Sequence, residues 1–311
     1  MAQFVIKDDD LTGLKGQVVI VTGSSSGIGL ATVQLLLSLG ASVIGTDVQP
    51  PPPPPPPEEQ QQQQQDSADG GEFSFHEVSV TDWAGLRDVF KAAVARHGRV
   101  DHVFANAGVA PHHDYVGTTE LDGAGDPLEP SARVLDVNLR GAVNAAALAV
   151  HYIRRNPGGG VGSVVINSSS TAMLRFRAVD YAVAKHGALG LMRGLHASLA
   201  ARGLGGAVRA NAVAPSWTAS AMVPDGEAAR AAGVEPQPAS AVARAAALLM
   251  ADRARRGHLV HVARGVYTEA DEALLLPAYA SLMPAGARPE DESFGAMREA
   301  FESRWAEGRG S

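Results

Sequence analysis

What this chain lacks narrows the field first. It has no cysteine, which excludes disulfides, a thiolate metal site and a cysteine nucleophile. It has no basic excess: 26 Lys and Arg stand against 33 Asp and Glu, for a net charge of −7. That balance argues against a nucleic-acid surface. The opening segment, MAQFVIKDDDLTGLKG, has no apolar stretch of the kind a signal peptide carries. No apolar run is long enough to span a bilayer. A cytoplasmic protein with no nucleic-acid or membrane partner is the expectation.

What is present is organised around residues 17–29, QVVIVTGSSSGIG. An apolar run, Val18 to Val21, enters a glycine-rich turn and then a segment of helical spacing. Gly23 can take backbone angles closed to other residues. Gly27 admits a pyrophosphate close to the backbone, and Gly29 lets helix and strand pack closely. The helix N-terminus then offers free N–H groups and a positive dipole end to phosphates. A second strand, Ser42 to Asp47, ends in a carboxylate eighteen residues after Gly29, about where a dinucleotide site meets the adenosine ribose.

The rest of the chain alternates short apolar strands with helices. Strands are predicted at Phe73 to Val80, Val100 to Ala105, Ser163 to Asn167, Ala207 to Val213 and His258 to Ala263. Helices are predicted at Trp83 to His97, Ser131 to Arg155, Tyr181 to Arg202 and Ala239 to Arg253. Residues 1–16 read as a polar lead-in, and 109–130 and 216–237 as loops. The pattern implies an α/β fold: a Rossmann-type, doubly wound sheet of about seven parallel strands with helices on both faces. Residues 1–268 form one domain, and 269–311 a helical extension with helices at Glu269 to Leu276 and Glu290 to Trp305. Within the domain, residues 49–71 hold eight prolines, Pro50 to Pro57, and six glutamines, Gln60 to Gln65. Neither tract builds a core, so this is read as a solvent-exposed insertion.

Ligands on such sheets bind beyond the carboxyl ends of the strands. There, Tyr181 and Lys185 in YAVAK lie one helical turn apart on one face. A phenol is a poor base at neutral pH. An adjacent ammonium favours the phenolate, so the pair suits proton exchange with an alcohol or ketone oxygen. A nearby serine hydroxyl could hold the same oxygen. His112, His113 and Asp114 invite a metal reading, but adjacent histidines diverge and no third ligand is conventionally spaced. No metal is expected. Arg253, Arg255 and Arg256 follow a helix C-terminus, where cations favour the dipole, and are read as structural.

Taken together, TGSSSGIG at 22–29, NAG at 106–108, Asn138 in VNLRG, the serines of NSSSTA, YAVAK at 181–185 and VRANAVAPSW at 208–217 resemble the single-domain short-chain dehydrogenases/reductases. The resemblance spans about residues 14–266. FANAG and KHGALGLMR are most similar to fungal-type alcohol dehydrogenases near 15-hydroxyprostaglandin dehydrogenase. The resemblance implies Tyr181 as general acid/base, Lys185 as its partner and ribose ligand, and Asn138 as the tie to a water-linked proton relay. The catalytic serine is open between Ser168, Ser169 and Ser170; loops shorten more readily than strand-end motifs shift, which selects Ser170.

The cofactor would meet Gly23, Ser25, Ser26, Gly27, Ile28, Gly29, Asp47, Ser79, Val80, Asn106, Ala107, Gly108, Tyr181, Lys185, Pro215, Ser216, Trp217 and Thr218. Ser79 replaces the family's usual aspartate, and Ser216 its usual glycine. Either Thr218 or Ser220 could meet the carboxamide. Asp47 selects NAD over NADP. The implied reaction is oxidation of a secondary alcohol or reduction of a ketone, in a homodimer or homotetramer. Leu174, Phe176, Trp217 and Met222 give the small-molecule substrate an apolar pocket. The alternatives are an NADP-linked ketone reductase and a non-catalytic dinucleotide-binding scaffold.

Overall fold

In a computed structural model, residues 2–53, 71–117, 120–223, 226–287 and 289–298 are described. The proline and glutamine tracts lie mostly outside them, as does the end of the helix expected at Glu290 to Trp305; residues 290–298 of it are helical.

The strands are β1 (Gln3–Phe4), β2 (Val18–Thr22), β3 (Ser42–Asp47), β4 (Phe73–Glu77), β5 (His102–Ala105), β6 (Gly162–Asn167), β7 (Val208–Pro215), β8 (Leu259–Ala263) and β9 (Val266–Glu269). They form one sheet in the order β1-β9-β8-β7-β6-β5-β2-β3-β4. From β4 to β8 every pairing is parallel. The seven parallel strands are those expected. The antiparallel pair at the edge, β9 on β8 and β1 on β9, was not foreseen.

Each central strand is buried on both faces, so its residues alternate between two cores. Val18 and Ile20 face one cluster, and Val19 and Val21 the other. The first is closed by α2 (Trp83–His97), α4 (Gly141–Ile153) and α5 (Val179–Ala201) through Phe90, Ala149 and Met192. The second is closed by α1 (Gly27–Ser38) and α7 (Ala239–Ala251) through Leu36, Val242 and Leu249.

Four expectations are corrected. The lead-in is not merely polar: after β1, a 3-10 helix at Asp8–Leu14 buries Leu11 and Leu14 in the second core. Three aspartates in its first turn masked that short apolar face. The helix expected at Ser131 to Arg155 comprises α3 (Arg133–Leu135), a π turn at Asp136–Arg140 and α4. The loop at 216–237 contains a short helix, α6 (Gly226–Ala231). Glu269 ends β9 rather than opening a helix; a π turn at Asp271–Leu275 leads into α8 (Leu276–Ala280). Arg193 of α5 pairs with the buried Asp271 there.

At the base of the sheet two basic side chains are buried, one charged and one neutral. Arg209 of β7 donates to the carbonyls of Leu249, Met250 and Asp252, closing the C-terminus of α7. His102 of β5 meets the Ser163 hydroxyl at 2.8 Å. Burial, with Arg209, Arg253 and Arg99 nearby, pushes its pKa down to about 3. Unfolded, it titrates near 6.5, so below that pH the unfolded chain gains a proton the folded chain refuses. Stability should therefore fall as pH drops from about 6.5 towards 3, by on the order of 2 kcal/mol from this group at pH 5. His258 and His261, also held neutral by burial, add to the slope. His102→Gln should flatten it, read by urea unfolding at pH 7 and pH 5. Parallel pH dependences in variant and parent would show that His102 is not responsible.

Candidate active site

The glycine turn joins β2 to α1. Gly23 has φ +68°, and a Cβ on Gly29 would lie 1.8 Å from the Gly23 carbonyl oxygen. Only glycine at 29 lets the helix start this close to the strand. Ser26 caps α1 in extended backbone without a side-chain bond, so Gly27, Ile28 and Gly29 present first-turn N–H groups unclaimed by that serine. The fit to a dinucleotide pyrophosphate rests on this cradle.

Asp47 ends β3 beside the turn. One carboxylate oxygen accepts from the Ser25 N–H at 3.1 Å; the other accepts from the Val48 N–H at 2.7 Å. The Ser25 hydroxyl donates to the Gln49 carbonyl. The Gln49 N–H also approaches the second oxygen, at 3.4 Å; of about four acceptor sites, the half-buried Asp47 thus keeps one open, on the oxygen bonded to Ser25, for a ribose hydroxyl.

Asn106 braces the cradle. Its side-chain N–H groups donate to the Thr22 and Gly23 carbonyls at 3.0 and 3.1 Å, and its oxygen accepts from Asn167. The Ala107 N–H donates to the Thr22 hydroxyl. Asn106 is thus occupied in joining β2, β5 and β6. Ser79 is similarly engaged: its hydroxyl meets that of Thr81 at 2.8 Å and accepts from the Thr81 N–H. Val80 is buried, and a Cβ on Gly141 would collide with its side chain, which keeps that helix position small.

Asn138 sits buried in the π turn. Its amide donates to the Val109 carbonyl at 2.9 Å and accepts from the Val109 N–H at 2.7 Å. It clamps the chain just beyond Gly108.

Tyr181 and Lys185 meet at the start of α5. The Lys185 Nζ lies 5.6 Å from the Tyr181 ring centroid and donates to the Asn167 carbonyl at 2.8 Å. Burial lowers the Lys185 pKa to about 8. Burial raises that of Tyr181, opposed by a side-chain hydrogen bond with Ser169. This corrects the expected depression of the phenol by its lysine. Both groups are withdrawn from water, which disfavours charge on each, and the ammonium is directed at Asn167.

The three serines separate clearly. Ser168 is buried and donates to the Lys185 carbonyl. Ser169, in extended backbone, caps the 3-10 helix Ser170–Met173 by accepting from the Thr171 N–H, and its side chain is close enough to Tyr181 to favour the phenolate. Ser170 has already entered that helix. Of the three, Ser169 is the serine whose side chain acts on Tyr181, while Ser170, the one expected, opens the 3-10 helix.

Beyond β7, Ser216 donates its N–H to the Val262 carbonyl. Thr218 is buried: its hydroxyl donates to the Ser216 carbonyl and accepts from Gln237. Of the two hydroxyls considered, Ser220 is the one over the glycine turn, its Cβ 3.1 Å from a Cβ built on Gly27. Met222 reaches over Gly108. The Phe176 and Tyr181 rings are 6.4 Å apart, and Leu174 and Trp217 are each about half exposed at 48%. A separate cavity of about 500 Å³, lined by Phe75, His76 and Arg96, lies between β4 and α2, remote from Tyr181.

Two residues were missed. Gln237 ties Thr218 to Val262 and Gly265. Asp180 accepts from the N–H groups of His112, His113 and Tyr181. An acidic residue in a first helical turn was the only signal for the latter. Among the described residues no group of three or more His, Cys, Asp or Glu could hold a metal, and no helix is long and apolar enough to cross a membrane.

The cradle, the carboxylate at the end of β3 and the Tyr–Lys pair define a nucleotide-binding α/β oxidoreductase. The short chain dehydrogenase family model matches residues 17–231. A short-chain dehydrogenase/reductase of Acremonium egyptiacum, ascJ, is 47% identical over 281 residues, covering 89% of this chain and 88% of its own length. Another, prx4 of Penicillium roqueforti, is 35% identical, covering 72% of this chain and 61% of its own length. The chain belongs to the short-chain dehydrogenase/reductase family, oxidoreductases acting on alcohol and ketone groups. Two solved structures share the fold. The NADPH-dependent 3-quinuclidinone reductase of Rhodotorula rubra matches with TM-score 0.63 at 21% identity, covering 85% of this chain and 96% of its own. Carveol dehydrogenase from Mycobacterium avium, in complex with NAD, matches with TM-score 0.62 at 24% identity, covering 81% and 98%.

Proposed function

We propose that this protein interconverts an apolar secondary alcohol and its ketone with NAD as cofactor, working as a cytoplasmic homodimer or homotetramer. The contact of Ser169 and Lys185 with Tyr181 carries this reading. The bound nicotinamide supplies hydride chemistry. The remaining work is done by the chain. Tyr181 gives its phenolic proton to the ketone oxygen, or takes it from the alcohol. Ser169 hydrogen-bonds the same oxygen, and Lys185 holds the ribose and the tyrosine. The Gly23–Gly29 turn binds pyrophosphate and Asp47 the adenosine ribose. Asn138 fixes the loop at Val109. Leu174, Phe176, Trp217 and Met222 offer an apolar wall. The catalytic unit is residues 1–268 together with the end of β9 and the buried turn at Asp271 that packs on it; the rest, to residue 311, is an extension.

NAD preference rests on Asp47. NADP places a phosphate where this carboxylate meets the ribose. No Lys or Arg lies in the glycine turn, and none follows Asp47 until Arg87, which pairs with Asp88. Like charges about 4 Å apart cost ~4 kcal/mol at an effective dielectric of 20. Even a third of that gives roughly tenfold discrimination. Turnover of a panel of apolar secondary alcohols, measured with NAD and NADP in parallel, should favour NAD in kcat/KM, and Asp47→Ala should narrow the gap. Equal or better use of NADP by the parent would refute the assignment, and absence of any turnover would favour a non-catalytic scaffold.

A further inference from the structure

Asp180 carries a charge in a place where charge is costly. It is only 1% exposed, yet it lies next to Tyr181 in the first turn of α5. A buried carboxylate persists only where donors compensate its lost hydration. Three backbone N–H groups do so here. One oxygen accepts from His112 at 3.0 Å and His113 at 3.1 Å; the other accepts from Tyr181 at 2.7 Å. Burial raises its pKa, but these bonds and the nearby His113 outweigh that and hold it below the usual carboxylate value. It is therefore ionised throughout the neutral range.

An acidic residue in a first helical turn ordinarily serves its own helix. Two of these three bonds instead reach a segment 67 and 68 residues away in sequence. That segment is the arc following β5. Its near end is held by Asn138, through both Val109 bonds. Its far end is folded by Asp114, whose carboxylate accepts from the Val116 and Gly117 N–H groups. Within it the His113 and Tyr115 rings meet edge to face at 4.7 Å. Without Asp180, nothing described pins the middle of the arc to the helix that carries Tyr181.

We propose that Asp180 is a positioning residue that locks the His112–Tyr115 arc against Tyr181, and that this arc is a substrate-selecting wall of the site. The second half rests on the oxidoreductase reading above. Asp180 touches no reacting atom. It holds the wall in place, and a wall contact made equally in the ground and transition states shows, when lost, as a higher KM with kcat little changed.

The test compares the full-length parent with Asp180→Asn and Asp180→Ala. Asn keeps one acceptor oxygen but cannot serve donors on both sides; Ala serves none. Amide hydrogen exchange at His112 and His113 should quicken about tenfold or more in Asp180→Ala and less in Asp180→Asn. Exchange across Gly23–Gly29 and NADH affinity by fluorescence should stay within about twofold, which also shows that the variants fold. On the apolar alcohol the parent oxidises fastest with NAD, KM should rise about fivefold or more while kcat changes less than about threefold. Unchanged exchange at His112 and His113 overturns the proposal, as does quickened exchange with unaltered KM. Loss of NADH binding in both variants also overturns it, since the residue would then serve general folding. A parent that oxidises no alcohol overturns the selecting role together with the oxidoreductase reading; normal turnover with unchanged exchange sinks this inference alone.

Discussion

Tyr181→Phe should lower kcat on the order of 10²-fold or more while NADH binding stays within about twofold. The substitution deletes one hydroxyl and keeps the ring. Phe still packs beside Phe176 and still meets the Lys185 ammonium over its face. What disappears is the proton donor and its bond with Ser169. Ser169→Ala should impair turnover too, whereas Ser170→Ala should leave it nearly intact, because Ser170 belongs to the following 3-10 helix. The pH dependence has a definite sign. Burial raises the Tyr181 pKa, so the phenol is protonated at neutral pH. Ketone reduction uses that protonated form and should be sustained at neutral pH. Alcohol oxidation needs the phenolate, so its kcat/KM should climb as pH rises above 7. Near-parental turnover by Tyr181→Phe, on any substrate the parent accepts, would remove Tyr181 from the mechanism.

Gly29→Ala should be nearly as damaging, by a different route. The added methyl would sit 1.8 Å from the Gly23 carbonyl oxygen and 2.7 Å from the Asn106 side-chain nitrogen. Neither neighbour can yield cheaply. The Gly23 carbonyl is part of the turn, and the Asn106 amide joins three strand ends. Helix α1 must therefore tilt away from β2, carrying its first-turn N–H groups out of the phosphate position. Overpacking of this kind costs about 1–3 kcal/mol of stability. Loss of an aligned phosphate cradle should weaken NADH binding on the order of 10²-fold, since charge-assisted hydrogen bonds are each worth about 1.5–3 kcal/mol. Fluorescence titration and thermal melting read the two effects separately. A variant with parental NADH affinity and melting temperature would mean the turn has slack that its geometry denies.

The local patterns were strong enough to carry the parallel sheet. Val18 to Thr22, Ser42 to Asp47 and Val208 to Pro215 are apolar runs bounded by turns, and a run buried on both faces needs no partner to be recognised. The glycine turn, Tyr181 and Lys185 were equally legible, because each depends on neighbours in the chain: a turn on its own residues, a pair on one helical turn. β1 was not legible, since two residues carry no period and pair only because β9 lies beside them.

By itself, then, the sequence determined the parallel part of the sheet, the glycine turn, the carboxylate at the end of β3 and the Tyr–Lys pair, all properties of spacing along one strand, turn or helix. Tertiary structure alone decided which polar groups remain available to a ligand. Asn106, Ser79 and Thr218 looked free in the sequence, and each is engaged by a neighbour from elsewhere in the fold or loop. Ser169, not Ser170, lies against Tyr181, because it is still in extended backbone where Ser170 has entered a 3-10 helix. The Tyr181 pKa moved opposite to the local expectation because burial acts through everything packed around the ring, not through the lysine four residues away. Hydrogen-bond saturation and desolvation are sums over spatial neighbours, and most of those neighbours are remote in sequence.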